Sequence, residues 1–271
     1  MGLRPYARVR SPERGLHDVS TGLLVIKIGG STLGSADTTY RDVAAMAIAG
    51  DVPIVVHGGG AEASRWLERM SIPSRFERGL RVTDEAVLPV VVAVFAGLVN
   101  KRIVAAMNAA GACAAGLSGA DGRLLECQLS SPDLGFVGEP VAVHPKAALA
   151  LHAAGIIPVI SSVGYVPGVD ADQLVNVNAD TVAGNVAAAV AARQLVFLTD
   201  VEGVRGADGV VIPELTEAQS LALIAEGVIA GGMIPKVEAC LHALRLGVTS
   251  RIVDGRQPGA LATSSGTTFV L

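Results

Sequence analysis

Glycines follow two apolar, strand-like segments near the start of the chain, and both segments bring a basic side chain to that point. Residues 24–28, which include Lys27, are followed by two glycines. Residues 53–56 are followed by His57 and three glycines. Glycine lets backbone N–H groups approach a ligand closely, and such groups favour anions. Because ligands bind outside the carboxyl ends of strands in open α/β sheets, the two turns predict a site for phosphate, carboxylate or both.

Lys236 is a further basic side chain that could bind an anion. It follows two glycines, Met233, Ile234 and Pro235. Proline suits the first position of a helix, so Lys236 is expected in the first helical turn, where a cation opposes the helix dipole. An anionic ligand would offset this unfavourable placement. The alternative is a solvated surface lysine.

Asn176, Asn178 and Asp180 form a polar set with a spacing of two residues. In an extended segment this spacing places Asn176 and Asn178 on the same side, and Asp180 then lies near the start of a helix. The alternative is that Asn178 or Asp180 only caps that helix. Helix capping by one residue does not explain why three polar residues share this spacing. We therefore interpret the set as part of a ligand-binding site.

Arg81 precedes the helix start that Thr83, Asp84 and Glu85 indicate. A guanidinium group in such a place can bind a carboxylate with two parallel hydrogen bonds. Taken alone, an exposed arginine is the better interpretation of Arg81, so its role depends on the other motifs.

Histidine and cysteine chemistry is not favoured by the sequence. His57 is expected to be neutral, hydrogen-bonded and responsible for the shape of the glycine turn, with a catalytic role as the alternative. Cys113, Cys127 and Cys240 include no C-x-x-C pair, which argues against a zinc cluster or a disulfide framework and predicts buried, reduced thiols. The G-x-x-x-x-G-K-[ST] and G-x-G-x-x-G motifs are absent from the sequence, so a nucleotide would be held in another way.

Strand-like and helix-like segments alternate from residue 22 onward and must position these groups. This alternation predicts an α/β protein with a largely parallel sheet that is covered on both faces. Pro89 marks either a kink in the long third helix or its true start. The predicted helices are 37–50, 61–70, 83–110, 145–154, 180–192, 216–226 and 235–246. The predicted strands are 24–28, 53–56, 113–118, 156–161, 195–198, 250–253 and 267–271, with 123–129 and 135–143 as an antiparallel excursion.

Composition and charge restrict the class of protein. The chain has 271 residues, 51% of them hydrophobic, and a formal net charge of −4, which allows a large core and gives no global attraction to nucleic acid. The longest apolar run, 86–99, is shorter than the ~18 residues of a membrane span. Residues 1–21 carry four arginines and no apolar signal segment, which predicts a flexible arm and a cytoplasmic protein.

A series of sequence blocks resembles the amino acid kinase family in number, order and spacing, from residue 22 to about residue 255. The blocks are K-I-G-G at Lys27, H-G-G-G at His57, G-L-R-V-T at Gly79, G-L-V-N-K at Gly97, G-L-S-G-A-D-G at Gly116, V-N-V-N-A-D at Val175, L-T-D-V-E-G-V at Leu198 and G-G-M-I-P-K at Gly231. The resemblance implies a three-layer αβα sandwich with a mostly parallel central sheet and two lobes. Residues 22–175 would form the acyl-amino-acid lobe, and residues 176–271 the nucleotide lobe.

The resemblance also implies an activity, because the G-L-R-V-T and V-N-V-N-A-D blocks favour the branch that acts on N-acetyl-L-glutamate. ATP would donate its γ-phosphoryl group to the side-chain carboxylate, in the second step of arginine biosynthesis, and Mg²⁺ would travel with ATP. Lys27 and Lys236 would flank the migrating group, and Asp180 would hold both lysines in place. The implied contacts to the acyl amino acid are Gly59, Gly60, Arg81 and Asn176. The implied nucleotide contacts are Gly29, Gly30, Asp200, Val201, Glu202, Gly203, Val204, Arg205, Val228, Ile229 and Ala230.

Two other functions stay open on the residues. A sister kinase would phosphorylate a glutamate or aminoadipate that is carried on a small acidic protein, and should show a basic surface at the substrate mouth. A non-catalytic sensor would keep the fold and bind a nucleotide or an acyl amino acid. The resemblance implies that arginine-inhibited relatives carry an extra N-terminal helix and an acidic-aromatic stretch near the C-terminus. The short N-terminal arm and the small, polar tail 260–268 differ from that pattern, so we expect a homodimer without arginine feedback. We expect a small-molecule substrate, and neither nucleic acid nor a membrane as partner.

Overall fold

The computed structural model describes residues 22–29, 39–168 and 171–271. The predicted N-terminal arm, Gly30 and the first two residues of the helix expected at 37–50 lie outside the described residues. Within the described part, helices cover both faces of a large, mostly parallel sheet. The predicted α/β sandwich is therefore confirmed.

Most of the predicted strands and helices are present with small shifts at their ends. The strands are β1 (Leu24–Ile28), β2 (Ile54–His57), β3 (Phe76–Glu77), β4 (Leu80–Arg81), β5 (Ala114–Ser118), β6 (Leu125–Leu129), β7 (Gly138–Val143), β8 (Ile157–Ser161), β9 (Val163–Val166), β10 (Gln173–Asn176), β11 (Gln194–Thr199), β12 (Glu214–Thr216), β13 (Ser250–Asp254) and β14 (Thr267–Val270). The helices are α1 (Thr39–Ile48), α2 (Gly60–Arg69), α3 (Val87–Val92), α4 (Asn100–Ala109), α5 (Lys146–Ala153), α6 (Ala179–Ala189), α7 (Glu217–Ala225) and α8 (Ile234–Arg245).

The central sheet has eight strands in the order β12-β14-β13-β11-β1-β2-β8-β5. Neighbouring strands are parallel except for β13 and β14. Its inner strands read as nearly continuous apolar runs, as expected where both faces are covered. One continuous sheet joins β1 to β11 and so crosses the predicted lobes 22–175 and 176–271. The lobe boundary stays a prediction.

Alternate residues of β1 enter two separate hydrophobic clusters, one on each face of the sheet. Val25 packs in the cluster that includes Val182 of α6 and Leu241 of α8. Ile26 packs in the opposite cluster, which includes Leu67 of α2. Successive side chains of a strand point to opposite faces, so one short strand holds both helix layers in place.

A four-stranded sheet, β10-β9-β6-β7, and the hairpin β3–β4 lie outside the central sheet. The pairing of β6 with β7 is antiparallel, as predicted. Strand β9 and the hairpin were not predicted. Each strand of the hairpin has two residues, which is too short to show the alternation by which strands are recognised.

The long helix begins later than the sequence indicates. Thr83 is fully buried, and its hydroxyl donates to the backbone oxygen of Arg81 (2.8 Å). The Asp84 carboxylate accepts from the N–H of Val87 (3.0 Å), the first residue of α3, so the predicted start at Thr83 is wrong. Pro89 lies in the first turn, where its missing N–H is not needed, which agrees with the alternative of a later true start.

A π-helical segment, Ala93–Val99, joins α3 to α4, so that Val87–Ala109 is one 23-residue helix. By length and composition this helix could cross a membrane. Its Val91 and Met107 are, however, fully buried inside the protein. Core helices of globular proteins pass the same test, so this property alone is weak evidence for a membrane span.

Candidate active site

The carboxyl ends of β1, β2 and β8 meet at one edge of the central sheet, because these neighbouring strands are parallel. Ile28 pairs with His57, and His57 pairs with Ser161. The backbone N–H of Gly29 donates to Leu198 of β11 (3.1 Å). The turns after four strands therefore begin at the same level, which is where open α/β sheets bind ligands.

Lys27 and Asp180 form an ion pair at this edge. The Lys27 Nζ atom lies 2.6 Å from Asp180 Oδ1, and the two side chains are 14% and 25% exposed. Asp180 lies in the first turn of α6, where the Asn178 side chain accepts from the N–H groups of Asp180 (2.8 Å) and Thr181 (3.2 Å). Asn178 is therefore the helix cap that the alternative interpretation proposed, whereas the Asp180 side chain faces Lys27.

Lys236 lies in the first turn of α8, as predicted, and its Nζ donates to Gly232 O (3.4 Å). Helices α6 and α8 pack side by side and lead into the parallel strands β11 and β13. Their N-termini therefore face the same edge of the sheet. The convergence of Lys27 and Lys236 on one phosphorus atom stays a prediction.

Cys240 lies one turn after Lys236 on the buried face of α8. Burial raises the pKa of its thiol, the charge of Asp180 raises it further, and the charge of Lys27 lowers it. The thiol is therefore protonated near neutral pH.

All four residues predicted to contact an acyl amino acid line one cavity of about 150 Å³, here called the glycine-turn cavity. It lies between the turn after β2, the hairpin β3–β4 and the segment that joins β10 to α6. The lining residues are Gly58, Gly59, Gly60, Phe76, Gly79, Leu80, Arg81, Phe95, Val137, Ser162, Asn176, Val177, Asn178 and Ala179.

Gly59 and Gly60 differ in the space that a side chain would have. A Cβ atom on Gly59 would lie 2.6 Å from the ring of Phe95, whereas one on Gly60 would meet nothing within 4 Å. Gly59 therefore fits only without a side chain. Gly60 begins the ten-residue helix α2, whose first N–H groups and positive dipole end favour an anion.

Arg81 is buried, with 5% of its surface exposed, so the exposed-arginine interpretation is wrong. Its Nη2 donates to Gly60 O (2.8 Å) and to Ser64 Oγ (2.7 Å), Nη1 donates to Ser74, and the guanidinium stacks on Phe76. Burial lowers the pKa of Arg81. No carboxylate pairs with Arg81 within the described residues. A buried, unpaired cation is costly, so this arrangement favours an anionic ligand.

Asn176 is connected to Arg81 through Thr83. The Asn176 amide donates to Thr83 Oγ1 (3.0 Å), and this hydroxyl donates to the backbone oxygen of Arg81 (2.8 Å). Asn176 is 8% exposed and lines the glycine-turn cavity. The hydrogen bond to Thr83, just after β4, therefore holds the Asn176 side chain in one orientation.

His57 is neutral and shapes the glycine turn, as predicted. Its Nδ1 donates to Gly58 O (2.7 Å), and its Nε2 accepts from the amide of Asn100 (3.0 Å). Burial, helped by the charges of Lys101 and Lys27, lowers the pKa of His57 from 6.5 to about 4, although the hydrogen bond to Gly58 opposes the shift. Both ring nitrogens are engaged in structural hydrogen bonds, so neither is free to exchange a proton with a substrate near neutral pH.

The two segments predicted to contact a nucleotide line a second cavity of about 430 Å³, here called the β11 cavity. The lining residues are Asp200, Val201, Glu202, Gly203, Val204, Arg205, Val228, Ile229, Ala230, Met233 and Arg256. Gly29 does not line this cavity, and Gly30 lies outside the described residues.

Met233 and Arg256 were not predicted. Arg256 Nε and Nη2 donate to the two carboxylate oxygens of Asp254 (both 2.9 Å), which lowers the pKa of Asp254. Arg205 Nη2 forms a second pair, with Glu202 Oε2 (2.6 Å), in which both side chains are exposed. A pair of charges two or three residues apart resembles ordinary surface sequence, so only the fold shows that these pairs border a cavity.

The three cysteines are free thiols. Cys127 and Cys240 are buried, as predicted, but Cys113 is exposed, so that part of the prediction is wrong. Cys113 lies just before β5, in the connection from α4, where the backbone is at the surface. Among the described residues, no group of three or more His, Cys, Asp or Glu side chains could hold a metal ion.

The sequence profile of the amino acid kinase family matches residues 22–254. The acetylglutamate kinase of Dinoroseobacter shibae is 47% identical over 242 residues, which cover 88% of this chain and 83% of that protein. The acetylglutamate kinase of Dehalococcoides mccartyi is 42% identical over 246 residues, which cover 89% of this chain and 90% of that protein. The crystal structure of smu.665 from Streptococcus mutans superposes with a TM-score of 0.79 at 28% identity, and covers 92% of this chain and 98% of that chain.

Proposed function

The chain belongs to the amino acid kinase family, and from that premise we propose that it is an acetylglutamate kinase. It transfers the γ-phosphoryl group of ATP to the side-chain carboxylate of N-acetyl-L-glutamate. Relatives of that name at 42–47% identity over most of the chain support this activity. Because the acceptor is a small dicarboxylate, the protein acts on a small-molecule substrate in arginine biosynthesis.

The observation that carries the proposal is Arg81. Its guanidinium is buried beside the glycine-turn cavity and is held by Gly60, Ser64 and Ser74. Among the described residues no carboxylate neutralises it. A bound carboxylate would supply the missing charge, and the N-terminus of α2 offers a second anion-binding surface in the same cavity. A dicarboxylate fits these two anion-binding groups.

The chemistry needs alignment and charge neutralisation more than proton transfer. An oxygen of the acceptor carboxylate forms a bond to the γ-phosphorus while the bond to the bridging β–γ oxygen breaks, which yields an acyl phosphate and ADP. The carboxylate is already a nucleophile, so no general base is required. Lys27 and Lys236 stabilise the charge on the transferred group, and Asp180 orients Lys27.

ATP is proposed to bind in the β11 cavity as its Mg²⁺ complex, with the metal belonging to the substrate. The cavity of about 430 Å³ is the larger of the two. It opens beside β11, next to the strand that carries Lys27, so a nucleotide there can direct its terminal phosphate toward the glycine-turn cavity. Asp200 and Glu202 at its rim are groups that accept hydrogen bonds from hydroxyl and amino groups.

A homodimer in the cytoplasm is proposed as the form in which the protein works. Met70 at the end of α2 is 53% exposed and Ile48 at the end of α1 is 63% exposed, and both are apolar residues that a second copy could cover. Static light scattering measures the mass directly, and a value for one chain would contradict the dimer.

Trapping of the product with hydroxylamine tests the reaction. Wild-type protein with MgATP and N-acetyl-L-glutamate should form a hydroxamate, since hydroxylamine captures acyl phosphates. Omission of either substrate is the control. Hydroxamate formation only from a carrier-linked glutamate or aminoadipate would favour the sister kinase, and formation from neither acceptor would leave the sensor.

A further inference from the structure

Two neighbouring serines have buried hydroxyls with no hydrogen-bond partner among residues 22–29, 39–168 and 171–271. Ser161 ends β8, Ser162 follows it, and both are fully buried. A buried hydroxyl without a partner destabilises the folded protein. Each such group therefore needs an explanation, and one explanation is that a ligand supplies the missing hydrogen bond.

The two hydroxyls face different surroundings. Ser162 lines the glycine-turn cavity, and its Oγ lies 3.9 Å from the position of a Cβ atom on Gly58. Ser161 does not line this cavity and pairs in register with His57. Side chains of successive residues in an extended chain point to opposite sides, so Ser161 provides a natural internal control for Ser162.

The backbone of Ser162 connects the two segments that carry the proposed acceptor contacts. Its N–H donates to His57 O (3.2 Å), and its carbonyl oxygen accepts from the N–H of Val177 (3.1 Å). His57 precedes the glycine turn and Val177 follows Asn176. Ser162 is therefore fixed on both sides at the wall of the glycine-turn cavity.

The Ser162 hydroxyl lies on the same side of Gly58 as Ala179, the residue before Asp180. The Cβ of Ala179 lies 3.1 Å from the same Gly58 position that approaches Ser162 Oγ. Asp180 follows Ala179 and contacts Lys27. Arg81, in contrast, is held by the side chains and carbonyl of α2 and of the segment before the hairpin.

We propose that Ser162 is a further substrate-binding residue, whose hydroxyl hydrogen-bonds the bound N-acetyl-L-glutamate at the end of the cavity that faces Lys27. This rests on the proposed function. Serine donates one hydrogen bond and accepts others, so its hydroxyl can donate to the reacting carboxylate while Arg81 binds the other carboxylate. The unpartnered hydroxyl then acquires its partner when the substrate binds.

Calorimetric titration of N-acetyl-L-glutamate into wild-type protein, Ser162→Ala and Ser161→Ala tests the inference. Ser162→Ala should raise the Kd about 10- to 100-fold, the effect of losing a hydrogen bond to a charged group. Its melting temperature without substrate should stay equal or rise, because an unsatisfied hydroxyl is removed. Ser161→Ala should show the same melting behaviour and a Kd within about twofold of wild type. Ser162→Cys, of similar size but a weaker donor, should weaken binding in the same direction.

The outcomes separate this inference from the proposed function. A wild-type protein that phosphorylates N-acetyl-L-glutamate, together with an unchanged Kd in Ser162→Ala, overturns the role of Ser162 alone. Equal weakening in Ser161→Ala and Ser162→Ala also overturns it, because general packing would then explain both. A wild type that neither binds nor phosphorylates the substrate overturns the proposed function and the inference with it.

Discussion

The glycine-turn cavity and the β11 cavity are built in different ways. The first is small, about 150 Å³, and its charged residue, Arg81, is 5% exposed and fixed by three neighbouring groups. The second is larger, about 430 Å³, and its arginines, Arg205 and Arg256, have side chains that are 57% and 58% exposed. Buried groups interact with ligands more strongly than groups that water and salt screen.

This difference indicates which cavity discriminates between ligands. A buried guanidinium and a glycine that tolerates no Cβ atom leave few arrangements open to a ligand. Exposed arginine side chains around a wide cavity can rearrange at low cost. We therefore expect the glycine-turn cavity to discriminate strongly between acceptors, and the β11 cavity to tolerate substitution.

The largest effects are expected at the two lysines that are proposed to contact the transferred phosphoryl group. Lys27→Ala and Lys236→Ala should each lower turnover by at least 10²–10³-fold, the typical cost of removing one group that stabilises transition-state charge. Steady-state assays with circular dichroism as a check on folding measure this. Lys146→Ala, at an exposed lysine that begins α5, is the control. Near-normal turnover in both folded variants would refute the assigned roles.

His57, beside the glycine-turn cavity, is expected to make the free energy of unfolding strongly dependent on pH. His57 is neutral in the folded protein, and burial lowers its pKa from 6.5 to about 4. Above pH 6.5 neither state binds this proton; as the pH falls from 6.5 toward 4, only the unfolded state does. Up to about 3 kcal/mol of stability is therefore lost across this window. Urea unfolding of wild type and His57→Gln at several pH values measures it, and equal slopes in both proteins would contradict it.

Arg81→Lys should raise the KM for N-acetyl-L-glutamate about 10- to 100-fold, because an ammonium group cannot replace a planar, bidentate donor. The KM for ATP should change little, which separates the two cavities. Arg65→Lys is the matched control, since Arg65 lies on α2 with 68% of its side chain exposed. An equal rise in both KM values would mean that the cavities are not independent.

The smallest effect is expected from Arg256→Ala. Its side chain is exposed and already paired with Asp254, so the KM for ATP should rise less than about tenfold. The KM for N-acetyl-L-glutamate should stay unchanged. Assays at low and high salt would distinguish the two cavities further. Screening by salt should reduce the effect of Arg256→Ala on the KM for ATP and leave the effect of Arg81→Lys on the KM for N-acetyl-L-glutamate intact. A hundredfold rise would show that the β11 cavity is as strictly built as the other.

The sequence predicts the glycine turns, the helix starts near Asp180 and Pro235, and the central strands, because each follows from a local pattern. Glycines after an apolar strand and Pro235 before Lys236 are such patterns. Ser162 and Arg256 could not be predicted, because their importance depends on which distant segments lie beside them. The π-helical segment Ala93–Val99 has no signature that distinguishes it from the rest of the apolar run.

One chain of hydrogen bonds runs through the glycine-turn cavity from Gly60 to Arg81, Thr83 and Asn176. These residues come from a helix start, a hairpin and a distant strand, yet each helps to orient the next. Arg81→Lys keeps the backbone oxygen that accepts from Thr83, so it leaves the orientation of Asn176 intact. In a double-mutant cycle, Arg81→Lys combined with Asn176→Ala should therefore cost close to the sum of the two single changes.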